Sequence, residues 1–217
     1  TNHTLHIPAI ARAAGIHVTW DDFAELSEVV PLLTRIYPNG QADVNHFHAA
    51  GGVGYLMRQL LDAGLVHADV RTVVGNGLEA YCDEPSLVDG QAAWAPAPTM
   101  SGDAEVLTTM DAPFDNEGGM KCVDGDLGRG IVKVSAVAAD KRKITAPVKI
   151  FHDQDDVVAA FEHGELEGNF VIVLRFQGPA AKGMPELHKL SASLGALQDR
   201  GHQIALVTDG RMSGASG

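Results

Sequence analysis

The residues predict a mixed α/β fold, helical over the first third and strand-and-helix beyond it. Three observations carry this. Up to Gly64, apolar residues recur at helical spacing between capping and stop signals. Between 84 and 103 the composition shifts, with Pro85, Pro96 and Pro98 set among small and polar residues. From Val106 onward, short runs rich in Val, Ile and Phe are separated by Gly, Asp and Pro turns.

Taken in order, Thr1 or Asn2 is placed to cap a first helix through Leu5, Ile7, Ile10 and Ala13, with Gly15 as its stop. Asp21 or Asp22 starts a second, carried by Phe23, Leu26 and Val29 and limited by Pro31. Tyr37-Pro38-Asn39-Gly40 reads as a turn. A third helix is expected over 44–63, with Leu56, Leu60 and Leu61 inward and Gly64 as the stop. Gly51, Gly52 and Gly54 weaken it by about 1 kcal/mol each against alanine, so they mark a break or a close contact. Residues 84–103 read as a connection between domains. Strands are expected at 106–108, 131–134, 148–151, 170–174 and 204–207, and helices at 155–163 and 187–198, around a sheet or open barrel.

The composition bounds the function. Apolar residues make up 45% and charged residues 20% of 217, which is ordinary for a soluble globular protein. No apolar run approaches the ~18 residues that span a bilayer, and the first residues lack the basic region of a signal peptide, so a cytoplasmic enzyme is expected. A net charge of −12, from 28 acids against 16 bases, argues against nucleic acid as a partner. Cys82 and Cys122 are far apart with no C-x-x-C spacing, which suits reduced thiols rather than a metal site or disulfide framework.

Several motifs resolve to modest readings. His46 and His48 would share a face on a strand, but on a helix they diverge by about 200°, which favours solvated or capping histidines over a metal pair. Gly51-Gly52-Val53-Gly54 follows no strand and lacks the dinucleotide-loop spacing. Two loops carry more. The apolar run 171–174 feeds Gln177-Gly178-Pro179, and Gly183-Met184-Pro185-Glu186 follows, with Pro185 at a helix first turn and Glu186 within that turn. There Glu186 either complements the helix dipole or serves as a hard-cation ligand. The run 204–207 likewise enters Thr208-Asp209-Gly210-Arg211-Met212-Ser213-Gly214, a glycine-flanked turn presenting one hydroxyl. Open α/β sheets place ligands outside the carboxyl ends of their strands, so both loops can open on one sheet edge.

These loops and the N-terminal residues carry a family resemblance. Thr1-Asn2-His3-Thr4-Leu5-His6 resembles the latter part of the Gly-Gly-Ser-Thr-Asn-x-x-Leu-His signature of the dihydroxy-acid/6-phosphogluconate dehydratase family. Gly178-Pro179 with Gly183-Met184-Pro185-Glu186 resembles its second signature, and Thr208-Asp209-Gly210-Arg211-Met212-Ser213-Gly214 its third. Gly118-Gly119-Met120 resembles the start of its C-terminal domain. Tyr37-Pro38-Asn39-Gly40, Asp43-Val44-Asn45-His46-Phe47 and Arg175-Phe176-Gln177-Gly178-Pro179 are similar to its 6-phosphogluconate branch. The other branch usually has a tyrosine–glutamate pair in place of Phe176-Gln177.

The resemblance implies an α/β protein: the helical remainder of an N-terminal α/β domain (1–90), then an incomplete, barrel-like mixed α/β C-terminal domain (91–217). It implies an iron–sulfur-dependent hydro-lyase acting on a phosphorylated sugar acid, as a homodimer, with a 4Fe-4S cluster as Lewis acid on the departing C3 hydroxyl and with Mg²⁺. Another sugar-acid or dihydroxy-acid dehydratase is the near alternative, and a non-catalytic assembly or binding domain the distant one. By the same resemblance Ser213 takes the C2 proton, Glu186 helps hold Mg²⁺, and Asn2, His6, Asp209, Gly210 and Arg211 bind substrate. The family's cluster cysteines and remaining Mg²⁺ ligands precede the first signature, so neither Cys82 nor Cys122 is assigned to the cluster. The chain then reads as part of a longer protein, inactive and colourless in isolation. Free serine is a poor base, and an alkoxide at Ser213 needs nearby positive charge, which Mg²⁺ and a helix N-terminus supply.

Overall fold

The computed structural model describes residues 2–183 and 185–212. The chain divides into two compact units, one made of Thr1–Trp20 with Cys122–Gly217 and the other of Asp21–Lys121.

Helix α1 (His3–Ala13) opens the first unit. Asn2 occupies its N-cap position but has helical backbone angles and makes no side-chain cap, because its amide is engaged elsewhere. Gly15, at φ +77°, ends the segment in the left-handed region that glycine enters without penalty. The expected inner face is not buried: Ile7 and Ile10 are exposed, and Thr4 is the buried residue of the helix.

The second unit is helical first. Helix α2 (Trp20–Val29) ends ahead of Pro31 as expected. The expected third helix is two, α3 (Val44–Ala49) and α4 (Gly52–Asp62). The break falls at Gly51 and Gly52, whose φ values of +131° and +60° interrupt a helix. Gly54 answers the other expectation, a close contact, since a Cβ there would lie 2.8 Å from Ala97 Cβ. A small ribbon, β1 (Arg71–Thr72) with β2 (Gly75–Asn76), leads to the region expected to connect domains. That expectation is corrected: β3 (Asp83–Val88) and β4 (Gln91–Pro96) form an antiparallel hairpin turning at Asp89-Gly90. The prolines that suggested a linker are tolerated because a two-stranded ribbon has two open edges. The strand expected at 106–108 reduces to an isolated bridge between Leu107 and Thr34.

The first unit resumes with β5 (Met120–Gly125) and β6 (Gly128–Lys133), a two-stranded sheet. Its main element is a parallel sheet of β7 (Val148–Phe151), β8 (Phe170–Leu174) and β9 (Ile204–Thr208), in that spatial order. Helix α5 (Gln154–Glu162) crosses from β7 to β8, and α6 (Pro179–Lys182) with α7 (Lys189–Asp199) from β8 to β9. Phe170, Ile172 and Leu174 of the central strand form one core with Val157 and Ala160 of α5 and Leu190, Leu194 and Leu197 of α7. Burying each of the large side chains contributes roughly 1.5–3 kcal/mol. The opposite face leaves Val148, Ile150 and Val207 exposed.

Of the expected sheet or open barrel, the described residues form an open parallel sheet, and none of their sheets closes. Three strands are too few to close on themselves. The helix expected around Glu186 is corrected: the residue is not in a helix first turn. Pro179, not Pro185, takes the first position of a helix, and α7 begins only at Lys189. No helix among the described residues is long and apolar enough to cross a membrane.

Candidate functional site

The register of the parallel sheet sets the site. Phe151 is level with Leu174, and Leu174 with Thr208, so the loops after all three strands leave one edge together. This is the edge at which open α/β sheets bind ligands.

The loop after β8 turns at Phe176, whose φ of +61° is left-handed. An aromatic residue is held there at a cost of about 1–2 kcal/mol. Its ring lies 5.2 Å from that of His152 and 4.6 Å from the Arg175 guanidinium, contacts that offset the strain. The turn sends Gln177 inward to near-complete burial. After α6 the chain returns to the sheet edge, where Glu186 forms a parallel bridge with Arg211 and the Leu187 N–H donates to the Arg211 carbonyl at 3.0 Å. The second and third signature segments are therefore hydrogen-bonded neighbours.

The first signature joins them. The Asn2 side-chain amide donates to Glu186 Oε1 at 3.0 Å, and Arg211 Nη1 donates to the same oxygen at 2.9 Å and to Asn2 Oδ1 at 2.6 Å. The three side chains close a ring of hydrogen bonds around one carboxylate oxygen. The Arg211 side chain is 13% exposed and that of Glu186 32%, so solvent screens this pair less than a surface ion pair.

The other expected residues divide. Asp209 Oδ1 accepts the Gln177 backbone N–H at 3.0 Å. Gly210 N–H donates to Thr208 Oγ1 at 3.0 Å, and a Cβ on Gly210 would meet Gln177 Cβ at 2.8 Å. His6 is half-buried one turn along α1 from Asn2. Ser213, the expected base, and Met184 of the second signature lie outside the described residues.

Glu186 supplies the hard oxygen that Mg²⁺ takes, and the cation uses only one or two protein carboxylates, so the residue fits as one ligand. Among the described residues no group of three or more His, Cys, Asp and Glu side chains is arranged to hold a metal ion. The cysteines do not fit an iron–sulfur cluster, whose ligands are thiolates. Burial pushes the Cys82 thiol up, and its Sγ–H points to the Leu78 carbonyl, 3.9 Å away. The Cys122 thiol donates to the Trp20 carbonyl at 3.4 Å. His46 of α3 has a role without metal: it forms a reciprocal helix cap with Asp43, with Nδ1 2.8 Å from Oδ1, and those hydrogen bonds hold the Asp43 carboxyl below its usual range.

Gln177 is the residue that sequence reasoning missed. A glutamine just past an apolar run reads as loop. The usable signal was its position beside Gly178, where a Cβ would press on Asp209 at 3.0 Å; in the fold it also lies against Gly210, where a Cβ would strike Gln177 Cβ at 2.8 Å.

Comparison with known proteins gives the family of the chain. The chain belongs to the dihydroxy-acid/6-phosphogluconate dehydratase family, with residues 1–81 matching its N-terminal model and 105–217 its C-terminal model. Over its whole length it is 62% identical to a phosphogluconate dehydratase of Pseudomonas aeruginosa and 55% identical to that of Escherichia coli. It is 34% identical to a dihydroxy-acid dehydratase of Parasynechococcus marenigrum. The chain spans 36% of the length of the first two relatives and 37% of the third.

Proposed function

We propose that this chain is part of a hydro-lyase that dehydrates 6-phospho-D-gluconate to 2-dehydro-3-deoxy-6-phosphogluconate, a step of the Entner–Doudoroff pathway. The observation that carries the reading is the Asn2–Glu186–Arg211 ring, in which three separated signature segments meet on one carboxylate. Identities of 62% and 55% to relatives named phosphogluconate dehydratase, against 34% to one named dihydroxy-acid dehydratase, favour the phosphorylated sugar acid as substrate.

In this reading Ser213 takes the proton from C2. Glu186 is one ligand of Mg²⁺, which when bound supplies positive charge beside the substrate carboxylate and the charge developing at C2. Asn2 and Arg211 fix the Glu186 carboxylate in place, and with His6, Asp209 and Gly210 they bind the substrate. Loss of the C2 proton and the C3 hydroxyl leaves an enol, which ketonises by taking a proton at C3. The 4Fe-4S cluster of this reading would be held by cysteines other than Cys82 and Cys122 and would supply a Lewis acid for the departing C3 hydroxyl.

The same reading assigns 1–90 to the end of an N-terminal domain and 91–217 to part of a C-terminal, barrel-like domain, in a cytoplasmic homodimer. Its test is keto-acid production by the full-length protein on 6-phosphogluconate and on 2,3-dihydroxyisovalerate. A clear preference for the first is expected. Preference for the second moves the protein to the other branch of the family, and turnover of neither makes this part a binding or assembly domain.

A further inference from the structure

Gln177 is where the three strands of the parallel sheet meet at their carboxyl ends. Its Nε2 donates to the carbonyl of His152, one residue past β7, at 2.8 Å, and to that of Arg175, one residue past β8, at 3.0 Å. Its backbone N–H donates to Asp209 Oδ1, one residue past β9, at 3.0 Å. The residue is 2% exposed, and its Oε1 is buried without a partner among the described residues. The amide has one workable orientation, because a flipped Oε1 would face two carbonyl acceptors. A side chain that filled this space without N–H groups would leave both carbonyls unpaired and spare the stranded oxygen, so the two donors are what the position uses. The third signature loop is built against it, with Gly210 lacking the Cβ that would strike Gln177 Cβ at 2.8 Å.

We propose that Gln177 is a positioning residue that sets the register of the second and third signature loops, acting through Asp209 and the Glu186–Arg211 bridge rather than by touching substrate. The catalytic consequence rests on the dehydratase reading; the register of the loops does not.

Gln177→Met and Gln177→Glu in the full-length protein test this. Methionine keeps the length and removes both donors. Glutamate turns carboxylate oxygens toward the His152 and Arg175 carbonyls, with the Asp209 carboxylate also facing the site and the His152 ring and Arg175 guanidinium as the nearby ionisable and cationic groups. That carboxyl favours its neutral form, which can donate one O–H. Its folded pKa lies above the unfolded value of about 4.3, so the stability it contributes is present below that pH and lost as pH rises through the folded value.

Both variants are expected to speed amide hydrogen exchange several-fold in peptides covering 178–187 and 204–212. Gln177→Glu alone is expected to regain thermal stability, relative to the parent, as the medium is acidified. On 6-phosphogluconate, kcat is expected to fall on the order of 10²-fold with KM within about threefold, as misplaced rather than missing groups predict. Parent-like exchange in both segments with a parent-like pH–stability profile overturns the proposal. If the loops loosen as expected but the parent protein does not turn over 6-phosphogluconate, the register role stands and the functional reading falls.

Discussion

Alanine at Gly210 tests whether the third signature loop is built against the second by packing. The backbone there is not left-handed, so the substitution brings no torsional strain. The added Cβ would sit 2.8 Å from Gln177 Cβ, 2.9 Å from Leu187 Cδ1 and 3.1 Å from the Gln177 carbonyl oxygen. Carbon atoms in contact prefer about 3.5–4.0 Å, so the loop must move by several tenths of an ångström. Leu187 is buried, and Gln177 is tied by hydrogen bonds to all three strand ends, so neither yields freely. Overpacking of this kind costs about 1–3 kcal/mol, and the stiffer unfolded chain returns about 0.4–1 kcal/mol. The net loss of up to about 2.6 kcal/mol corresponds to a fall in Tm of up to about 10 °C for a chain of this size. Gly195 is the internal control. It lies inside α7, where an added Cβ would meet nothing within 4 Å, and alanine there should stabilise by about 0.5–1 kcal/mol. Calorimetry of the two variants beside the parent is the assay. A Tm for Gly210→Ala above that of the parent refutes the packing account, whatever Gly195→Ala does.

Other outcomes follow from the same geometry. Arg211→Leu takes the cation from the ring and leaves Asn2 to hold the Glu186 carboxylate there, so stability should fall by about 1–3 kcal/mol, between the surface and buried limits for ion pairs; chemical denaturation measures it. Glu186→Gln in the full-length protein should weaken the Mg²⁺ dependence of turnover, while a residue that only pairs Arg211 would lower Tm and leave the Mg²⁺ titration unchanged. Cys82, fully buried with its thiol pushed up, should resist a thiol reagent until the protein unfolds, and adding iron and sulfide to this chain should produce no charge-transfer absorption.

The regular elements were legible because their signals are local. The β-branched runs at 148–151, 170–174 and 204–207 are strands, and α5 and α7 lie within two residues of their expected bounds. The glycines at 51 and 52 announced the helix break for a backbone reason visible in one residue type. What was not legible depended on partners distant in sequence. Asn2 reads as a helix cap until Glu186 lies beside it, 184 residues away. Glu186 reads as a helix residue until the bridge to Arg211 holds it extended. The hairpin at 83–96 was hidden because its prolines signal a linker unless the ribbon's open edges are known. The roles of the signature residues were read from family likeness, while the hydrogen bonds that join them required the fold.

The most direct measurement is to run the full-length protein on 6-phosphogluconate in deuterated water and locate deuterium in the product by NMR, with Ser213→Ala in parallel. Removal of the C2 proton to a base that exchanges with solvent, followed by ketonisation of the enol, places one solvent-derived deuterium at C3 of the keto acid. The parent is expected to give that product. Ser213→Ala is expected to lose turnover by about 10²–10⁴-fold, as removal of a general base does. A keto acid formed without deuterium at C3, with turnover unchanged in Ser213→Ala, would mean that the C2 hydrogen reaches C3 without this base, and would contradict the account.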